Sequence, residues 1–308
     1  MTKLSPLFLM ILCVSVISCA HYDGKARLTN EHAKDMPRAE DLYNKGLKQE
    51  QQGDLDDAAK IYDLLAERYP SYAKAEGASF QAAQFWEREG EPKKAFDSYQ
   101  RYIETFRNGR QYKHALKRQS EIAFAAATGG LTTTFLGMKS EPDRKEVVEM
   151  LGKVRDNAPA SSLAARAQFQ IGSYLESKEK VTEAVEEYLK VVDGYPSHSL
   201  APEAHLRAAK ALAGFSQDGN NNSNRLNKAR LTFKDLIQQY PSSSQAKEAR
   251  KYISDVDGLN VQRTFGVAEF YESKGQTKAA KFYYYEVMEK AQKGSHYYNL
   301  AKERHSAL

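Results

Sequence analysis

Small and aromatic residues recur along this chain at spacings that are typical of paired helices. A small residue, usually alanine, is followed by a ring four residues later and often by an aromatic residue and proline at plus eleven and plus twelve. Because plus four and plus eleven return to the same side of a helix, each copy predicts one packed face. The copies start at Ala58, Ala95, Val147, Ala184, Ala229 and Ala280, the Val147 copy being the weakest.

Glycine and proline predict where the helices of each copy end. Gly53, Gly90 and Gly275 lie five residues before the small residue, where a first helix should end so that the chain can reverse. Proline ends the second helix because it lacks an amide hydrogen and biases the preceding residue away from helical angles. The second helices are therefore predicted to end at or just before Pro70, Arg107, Pro159, Pro196, Pro241 and Gln292.

These spacings match the tetratricopeptide consensus, whose period is about 34 residues. The small residues lie 37, 52, 37, 45 and 51 residues apart, which predicts that several loops or helices are longer than in that consensus. We predict an all-α fold, a tetratricopeptide-like α-solenoid of about six helix pairs with a concave groove. An ordinary helical bundle is the alternative, but amphipathicity alone does not place three Tyr-Pro pairs at one offset from a small residue.

Two segments interrupt the regular spacing. Residues 113–128 are rich in alanine and are predicted to form a helix that Gly129 and Gly130 end, before a longer linker at 131–142. Residues 217–224 contain only polar residues and glycine, which predicts an exposed loop between two helices.

The amino terminus predicts a lipoprotein signal peptide. Lys3 precedes a mostly apolar run at residues 4–17, which is too short for a comfortable membrane span. The sequence Val-Ile-Ser-Cys at 16–19 resembles a bacterial lipobox, so Cys19 is predicted to become the lipidated first residue. An ordinary secretory signal is the alternative, but Cys19 would then be the sole thiol of a secreted protein, since Cys13 is removed.

The predicted domains follow from this reading. They are a lipoprotein signal peptide at residues 1–18, a lipidated flexible tether at 19–38 and a helical repeat domain at 39–308. After removal of Lys3, the chain keeps 44 of its 45 basic residues against 40 acidic ones, a mild excess spread along helices. No basic stripe or nucleic-acid motif is present, so nucleic acid is not an expected partner.

Candidate catalytic residues do not form a complete set. Ser71 with Lys74, and Ser244 with Lys247, fit the Ser-x-x-Lys motif of penicillin-binding proteins, but the chain has no Ser-Asp-Asn or Lys-Thr-Gly partner. Both serines follow a Tyr-Pro pair, where a helix cap is needed. The seven histidines are scattered without metal-ligand spacing. We therefore expect binding rather than catalysis, with no catalytic residue, metal or cofactor.

Several segments of this chain are typical of one family of proteins. They are the lipobox, the polar tether and residues 43–46, 121–137, 265–271 and 274–275. Together they resemble the BamD family of lipoproteins, which belong to the outer-membrane β-barrel assembly machinery. The resemblance covers most of the mature chain, although that family normally carries five repeats and six are counted here, the extra unit being residues 163–196.

The resemblance implies a non-catalytic periplasmic scaffold that is anchored by lipid in the outer membrane. In that family the carboxy-terminal repeats dock on a BamA-like barrel protein beside other assembly subunits, and the amino-terminal repeats are thought to receive unfolded outer-membrane proteins. Ala20 follows Cys19 where an aspartate would favour retention in the inner membrane. A generic tetratricopeptide lipoprotein of pilus or cell-envelope division machinery is the nearest alternative, and a peptidoglycan enzyme is a distant third.

The last helix pair is predicted to dock a partner. Residues 282–285 are four consecutive aromatic residues, which cannot all face one neighbour because successive helical residues point about 100° apart. Tyr284 belongs to the core by its spacing. Partner binding is therefore predicted at Lys281, Phe282 and Tyr283; the alternative is that the chain end from Tyr297 onward half-covers these rings.

A peptide-binding groove is predicted on the first helices of the first two repeats. Rings beside amide and carboxylate groups suit an extended peptide, which needs side-chain pockets and hydrogen-bond partners. The alternative is that the two rings pack against neighbouring helices. Counting back from the glycine turns places these residues on that surface: Tyr43, Leu47, Glu50, Phe80, Gln84 and Glu87.

Overall fold

The computed structural model describes residues 30–131, 133–135, 138–140, 142–214 and 223–308. This part of the chain is almost entirely helical, with one short antiparallel hairpin. In order, its elements are α1 (Asn30–Gln52), α2 (Leu55–Arg68), α3 (Ala75–Arg88), α4 (Pro92–Thr105), α5 (Tyr112–Ala127), β1 (Thr133–Phe135), β2 (Met138–Ser140), α6 (Arg144–Asn157), α7 (Ser162–Ser177), α8 (Val181–Gly194), α9 (Ala201–Gly214), α10 (Ser223–Gln239), α11 (Ser244–Ser273), α12 (Thr277–Lys290) and α13 (His296–Ala307).

Each helix packs on the one before it and the one after it, from α1 to α13. The described helices thus form six pairs, α1–α2 through α11–α12, followed by α13, which contacts both α12 and α11. The predicted all-α solenoid is confirmed. All six predicted ends are confirmed as well, since the second helices end at Arg68, Thr105, Asn157, Gly194, Gln239 and Lys290.

The long spacings between repeats have visible causes. The step of 52 residues contains the hairpin between α5 and α6, in which Thr133 pairs with Ser140 and Phe135 with Met138. The step of 51 residues contains α11, a single helix of 30 residues. Of the loop predicted at 217–224, residues 217–222 lie outside the described part of the chain. The last two residues already belong to α10, which begins at Ser223.

The structure adds detail to the sequence predictions at three places. Helix α1 begins at Asn30, inside the predicted tether, and contains Pro37. Because proline has no backbone N–H, Pro37 cannot donate the helical hydrogen bond to the residue four positions earlier, and α1 continues without that bond. The linker predicted at 131–142 contains the hairpin. The helix caps also differ from the predicted ones. Ser243 rather than Ser244 caps α11. The residue before α3 is Lys74, whose side chain makes no capping hydrogen bond.

The recurring small and aromatic residues form the core. Ala58, Ala95 and Ala280 are completely buried, as their predicted place at helix contacts requires. Two glycines add close approaches, because a Cβ at Gly46 would lie 2.5 Å from the Tyr62 ring, and one at Gly172 would lie 2.7 Å from the Tyr188 ring. Tyrosine rings of the second helices therefore pack directly against the backbone of the first helices.

Helix α11 joins two hydrophobic clusters. The larger cluster runs from α1 to the start of α11, and the smaller one contains Val261 and Phe265 of α11 with residues of α12 and α13. Between them, a cleft of about 980 Å³ lies beside the middle of α11 and the α12–α13 turn, with Asp255, Asp257 and Lys290 in its lining. The last helices therefore form a packing unit of their own at the carboxy-terminal end.

Candidate functional site

Four repeats share a part-buried contact between the hydroxyl of the tyrosine at plus four and a glutamate of the preceding helix. The Tyr62 hydroxyl donates to Glu50 at 2.7 Å, and the Tyr188 hydroxyl donates to Glu176 at 2.7 Å. The Tyr284 hydroxyl donates to Glu272 in the same way, and the Tyr99 hydroxyl interacts with Glu87. In each copy the glutamate lies twelve residues before the tyrosine, near the end of the first helix. These contacts fix the two helices of a repeat against each other.

In three of the four copies, an arginine from the next helix along the solenoid also binds the glutamate. Arg118 contacts both carboxylate oxygens of Glu87, with its Nε 3.1 Å from Oε1. The other two pairs are Arg207 Nη1 to Glu176 at 3.1 Å and Arg304 Nη1 to Glu272 at 3.2 Å. The arginine follows its glutamate by 31 or 32 residues, so these ion pairs join neighbouring repeats.

Burial and the glutamate together raise the pKa of these four tyrosines above the ordinary value. Removal from water is the larger cause for Tyr62, Tyr99, Tyr188 and Tyr284, and the hydrogen bond to the carboxylate adds to it. The tyrosines therefore stay neutral donors across the ordinary pH range. Their stabilising contribution is complete below the pKa of an unfolded tyrosine, about 10.

We expect the free energy of unfolding to fall when the pH rises above about 10. The unfolded tyrosines then lose their protons while the folded ones keep theirs, so each contributes a loss of about 1.4 kcal/mol per pH unit until its folded pKa is reached. Urea titrations of the wild type and of Tyr188→Phe along a pH series measure this. The variant should show the shallower decline, and equal slopes would mean that Tyr188 is not held neutral by the fold.

The six predicted groove residues have different surroundings. Tyr43, Leu47 and Glu50 are half-buried on α1, and the Tyr43 ring stacks on Tyr62 at 5.8 Å with the Lys74 ammonium 4.3 Å from its centre. Phe80 is only 7% exposed and packs against the rings of Tyr99 and Tyr102. The Phe80 ring is thus a core contact, as the alternative interpretation stated.

Gln84 and Glu87 meet at a pocket between α3 and α5. Gln84 is exposed, and Glu87 is half-buried and paired with Arg118. The pocket has a volume of about 440 Å³ and combines one apolar ring with several polar groups. Its lining consists of Gln84, Phe85, Glu87, Arg88, Tyr99, His114 and Arg118.

The carboxy-terminal repeat carries a continuous row of four rings, which we call the aromatic row: Phe270, Tyr271, Tyr283 and Phe282. Tyr271 of α11 and Tyr283 of α12 stack with centroids 5.3 Å apart and an interplanar angle of 2°. Phe270 packs edge-on against Tyr271 at 5.6 Å, and Phe282 packs edge-on against Tyr283 at 5.3 Å. The two phenylalanines at the ends are 56% and 57% exposed.

The predicted docking residues therefore separate by role. Phe282 is exposed, whereas Tyr283 and Lys281 are half-buried, and Tyr283 is supported by the Tyr271 ring. Tyr284 is fully buried, as predicted, and Tyr285 is 53% exposed. The Tyr297 ring packs on Phe265 at 5.4 Å. Cys19, the predicted lipidation site, lies outside the described residues.

Sequence analysis missed two groups of functional candidates. Phe270 is part of the aromatic row, and its signal was the Phe-Tyr pair three residues before Lys274. The arginines that bind the recurring glutamates had a signal in their spacing of 31 or 32 residues. Within the described residues, no three His, Cys, Asp or Glu side chains are grouped to hold a metal. No described helix is both long and apolar enough to cross a bilayer.

Two protein-family models match this chain. A model named YfiO, described as an outer membrane lipoprotein, matches residues 138–301, and a tetratricopeptide repeat model matches residues 37–72. The chain is also similar to the outer membrane protein assembly factor BamD of Caulobacter vibrioides. That match has 26% identity over 153 residues, which are 49% of this chain and 50% of the relative. The chain thus spans about half the length of this curated relative.

A comparison with solved structures also gave matches, all at low sequence identity. One is YrrB, described as a TPR protein with an unusual peptide-binding site, at 17% identity and a TM-score of 0.31, covering 73% of this chain and 98% of that one. Another is pilF of Pseudomonas aeruginosa, at 15% identity and a TM-score of 0.30, covering 86% of this chain and 96% of that one.

The outer membrane lipoprotein model covers more than half of the 308 residues, including every helix from α6 to α12. The aromatic row lies inside the matched region, and the tetratricopeptide match covers the first repeat. The chain therefore belongs to the YfiO family of outer membrane lipoproteins and is a BamD-like tetratricopeptide-repeat protein.

Proposed function

We propose that this protein is a non-catalytic periplasmic scaffold for the assembly and insertion of outer-membrane β-barrel proteins. The family match over residues 138–301 carries the proposal, and the similarity to an outer membrane protein assembly factor supports it. In this proposal Cys19 carries lipid that anchors the chain in the outer membrane, facing the periplasm. Its repeats bind a BamA-like barrel protein, other assembly subunits and unfolded barrel substrates.

The aromatic row is proposed as the docking surface for the BamA-like protein. Its centre is held rigidly by the Tyr271–Tyr283 stack, and both end rings are more than half exposed. Exposed rings on a rigid support lose little conformational freedom when a partner covers them, and aromatic residues are enriched at the energetic centres of interfaces. Lys281 lies beside Phe282 and Lys274 beside Phe270, so basic groups flank the rings.

Phe282→Ala is expected to weaken binding of the periplasmic region of the BamA-like protein by about 30-fold, which corresponds to an interface anchor of about 2 kcal/mol. Calorimetric titration with the purified region measures the affinity. The melting temperature should stay unchanged, because Phe282 is exposed and its removal opens no core cavity. Tyr285→Ala is the matched control, since it removes an equally exposed ring of α12 outside the aromatic row. Unchanged affinity in Phe282→Ala, or an equal loss in the control, would place docking elsewhere.

The groove on the first two repeats is proposed to receive unfolded barrel proteins. Gln84 lines the pocket between α3 and α5, which offers amide, carboxylate and guanidinium groups, and Leu47 on α1 keeps part of its surface accessible. An extended peptide uses such groups for its backbone, and barrel strands alternate apolar and polar side chains along their length. Because the Phe80 ring is buried against Tyr99 and Tyr102, it is proposed to stabilise the helices that form this surface rather than to contact the peptide.

Crosslinking during barrel synthesis tests substrate capture and the proposed function together. A photoreactive residue at Gln84, which is exposed, should crosslink to nascent outer-membrane barrel proteins in living cells. The same residue at Leu231, which is 59% exposed on α10 far along the solenoid, is the control and should give none. If Gln84 gives no crosslink to any barrel protein while the protein is correctly anchored, substrate capture in this groove is wrong.

A further inference from the structure

The first repeat differs from the other three copies of the tyrosine–glutamate pair. Glu87, Glu176 and Glu272 each bind an arginine of the following helix in addition to their tyrosine. Glu50 accepts the hydrogen bond from Tyr62 but, among the residues that the structure describes, has no ion-pair partner. This copy joins α1 and α2, the first helix pair of the described chain.

The missing cation follows directly from the sequence of α3. Arg118 follows Glu87 by 31 residues, and Arg207 follows Glu176 by the same distance. At 31 residues after Glu50 the chain has Gln81, which carries no charge. Arg88, the basic residue at the end of α3, instead lies over the Phe85 ring at 6.0 Å. The first repeat thus keeps the buried hydroxyl donor and the carboxylate but lacks the guanidinium.

We propose that the Tyr62–Glu50 pair is a binding site for the arginine side chain of an extended polypeptide in the groove. The Tyr62 hydroxyl, held in place by complete burial of its ring, fixes the orientation of the carboxylate. Glu50 is half-buried and keeps acceptor capacity for a guanidinium, which binds carboxylates through two parallel hydrogen bonds. The three completed copies show that this arrangement accepts an arginine.

The surroundings favour arginine over a smaller cation. Leu47 and Tyr43 lie on the same helix as Glu50, three and seven residues before it, and both are half-buried. An arginine stem of three methylenes can cover such apolar surface while its charged end reaches the carboxylate. Planar guanidinium groups also match a fixed carboxylate better than an ammonium does.

This inference rests on the proposed use of the groove for polypeptide, but its test needs neither the barrel partner nor cells. The probes are two peptides, a short acetylated Gly-Ser-Tyr sequence with one central arginine and the same peptide with citrulline, which keeps the shape of arginine without its charge. Each is titrated into the isotope-labelled protein, and amide chemical shifts of α1 and α3 are followed. If the protein shows no preference for the arginine peptide although Gln84 crosslinks to barrel proteins, the arginine site is wrong and substrate capture in the groove still stands.

The arginine peptide is expected to shift amides around Glu50 and Gln81, with an affinity about tenfold higher than that of the citrulline peptide. Glu50→Gln should abolish this difference. Gln81→Arg should abolish it as well, because it supplies from within the chain the cation that the other repeats already contain. Glu176→Gln, in a completed copy, is the matched control and should leave the affinity unchanged.

Three results would overturn the proposal. The first is equal binding of the arginine and citrulline peptides, and the second is unchanged preference for arginine in Glu50→Gln. The third is the absence of saturable shifts near Glu50 at millimolar peptide. Circular dichroism of each variant checks that the helical fold is retained. If Glu50→Gln alters the Tyr62 contact, the preference for the arginine peptide in Gln81→Arg decides the question, because that variant keeps both Glu50 and Tyr62.

Discussion

Tyr188→Ala is expected to lower the free energy of unfolding by about 3 to 5 kcal/mol, the range for removal of a large buried ring. The Tyr188 side chain is completely buried, packs on Phe169 at 5.4 Å and lies against the backbone at Gly172. Its loss leaves a cavity between α7 and α8. It also removes the hydroxyl donor of Glu176, which keeps Arg207 as its ionic partner.

Tyr188→Phe separates the two contributions. It keeps the ring and removes only the hydrogen bond to Glu176, so we expect a loss of about 1 to 3 kcal/mol. Urea titration followed by circular dichroism measures both variants. An alanine variant as stable as the wild type would show that the ring is not part of a packed core. Equal losses in the two variants would assign the whole effect to the hydroxyl.

Cys19→Ala is expected to abolish labelling by a clickable fatty acid and to move the protein from the membrane to the soluble periplasmic fraction. Each methylene of an acyl chain contributes about 0.8 kcal/mol to membrane binding, so the loss of several chains removes far more affinity than any single protein contact. Cys13→Ala is the matched control, because Cys13 lies inside the segment predicted to be removed. A Cys19→Ala protein that stays labelled and membrane-bound would contradict the lipoprotein assignment.

The fold could be predicted from the sequence where its causes are local. The effect of proline on backbone geometry acts within a residue or two, so Pro70, Pro159 and Pro241 indicated the ends of α2, α6 and α10. The separation of four residues between a small residue and a ring likewise identified the buried faces of the helices. Pro37 shows the limit of such local rules, because proline disfavours a helix interior but α1 continues through it.

The binding surfaces were harder to predict, because they depend on how one repeat sits on the next. The pairing of Glu87 with Arg118 joins residues 31 positions apart, and this spacing gains its meaning only from the contact between one repeat and the next. Phe80 could not be assigned from its helical position alone, since the rings that bury it come from α4. Four consecutive aromatic residues indicated that a ring such as Phe282 would lie outside the core. The stack of Tyr271 on Tyr283 could not be predicted, because it depends on how α11 packs against α12.

The central claim is that this protein works with a BamA-like barrel protein in outer-membrane assembly. Affinity purification of the tagged, full-length protein from membranes dissolved in mild detergent, followed by mass spectrometry, tests that claim most directly. We expect the BamA-like barrel protein to be recovered in near-equal amount with the wild type and to be depleted with Phe282→Ala. Recovery of pilus or cell-division proteins without any BamA-like protein would contradict the proposed function.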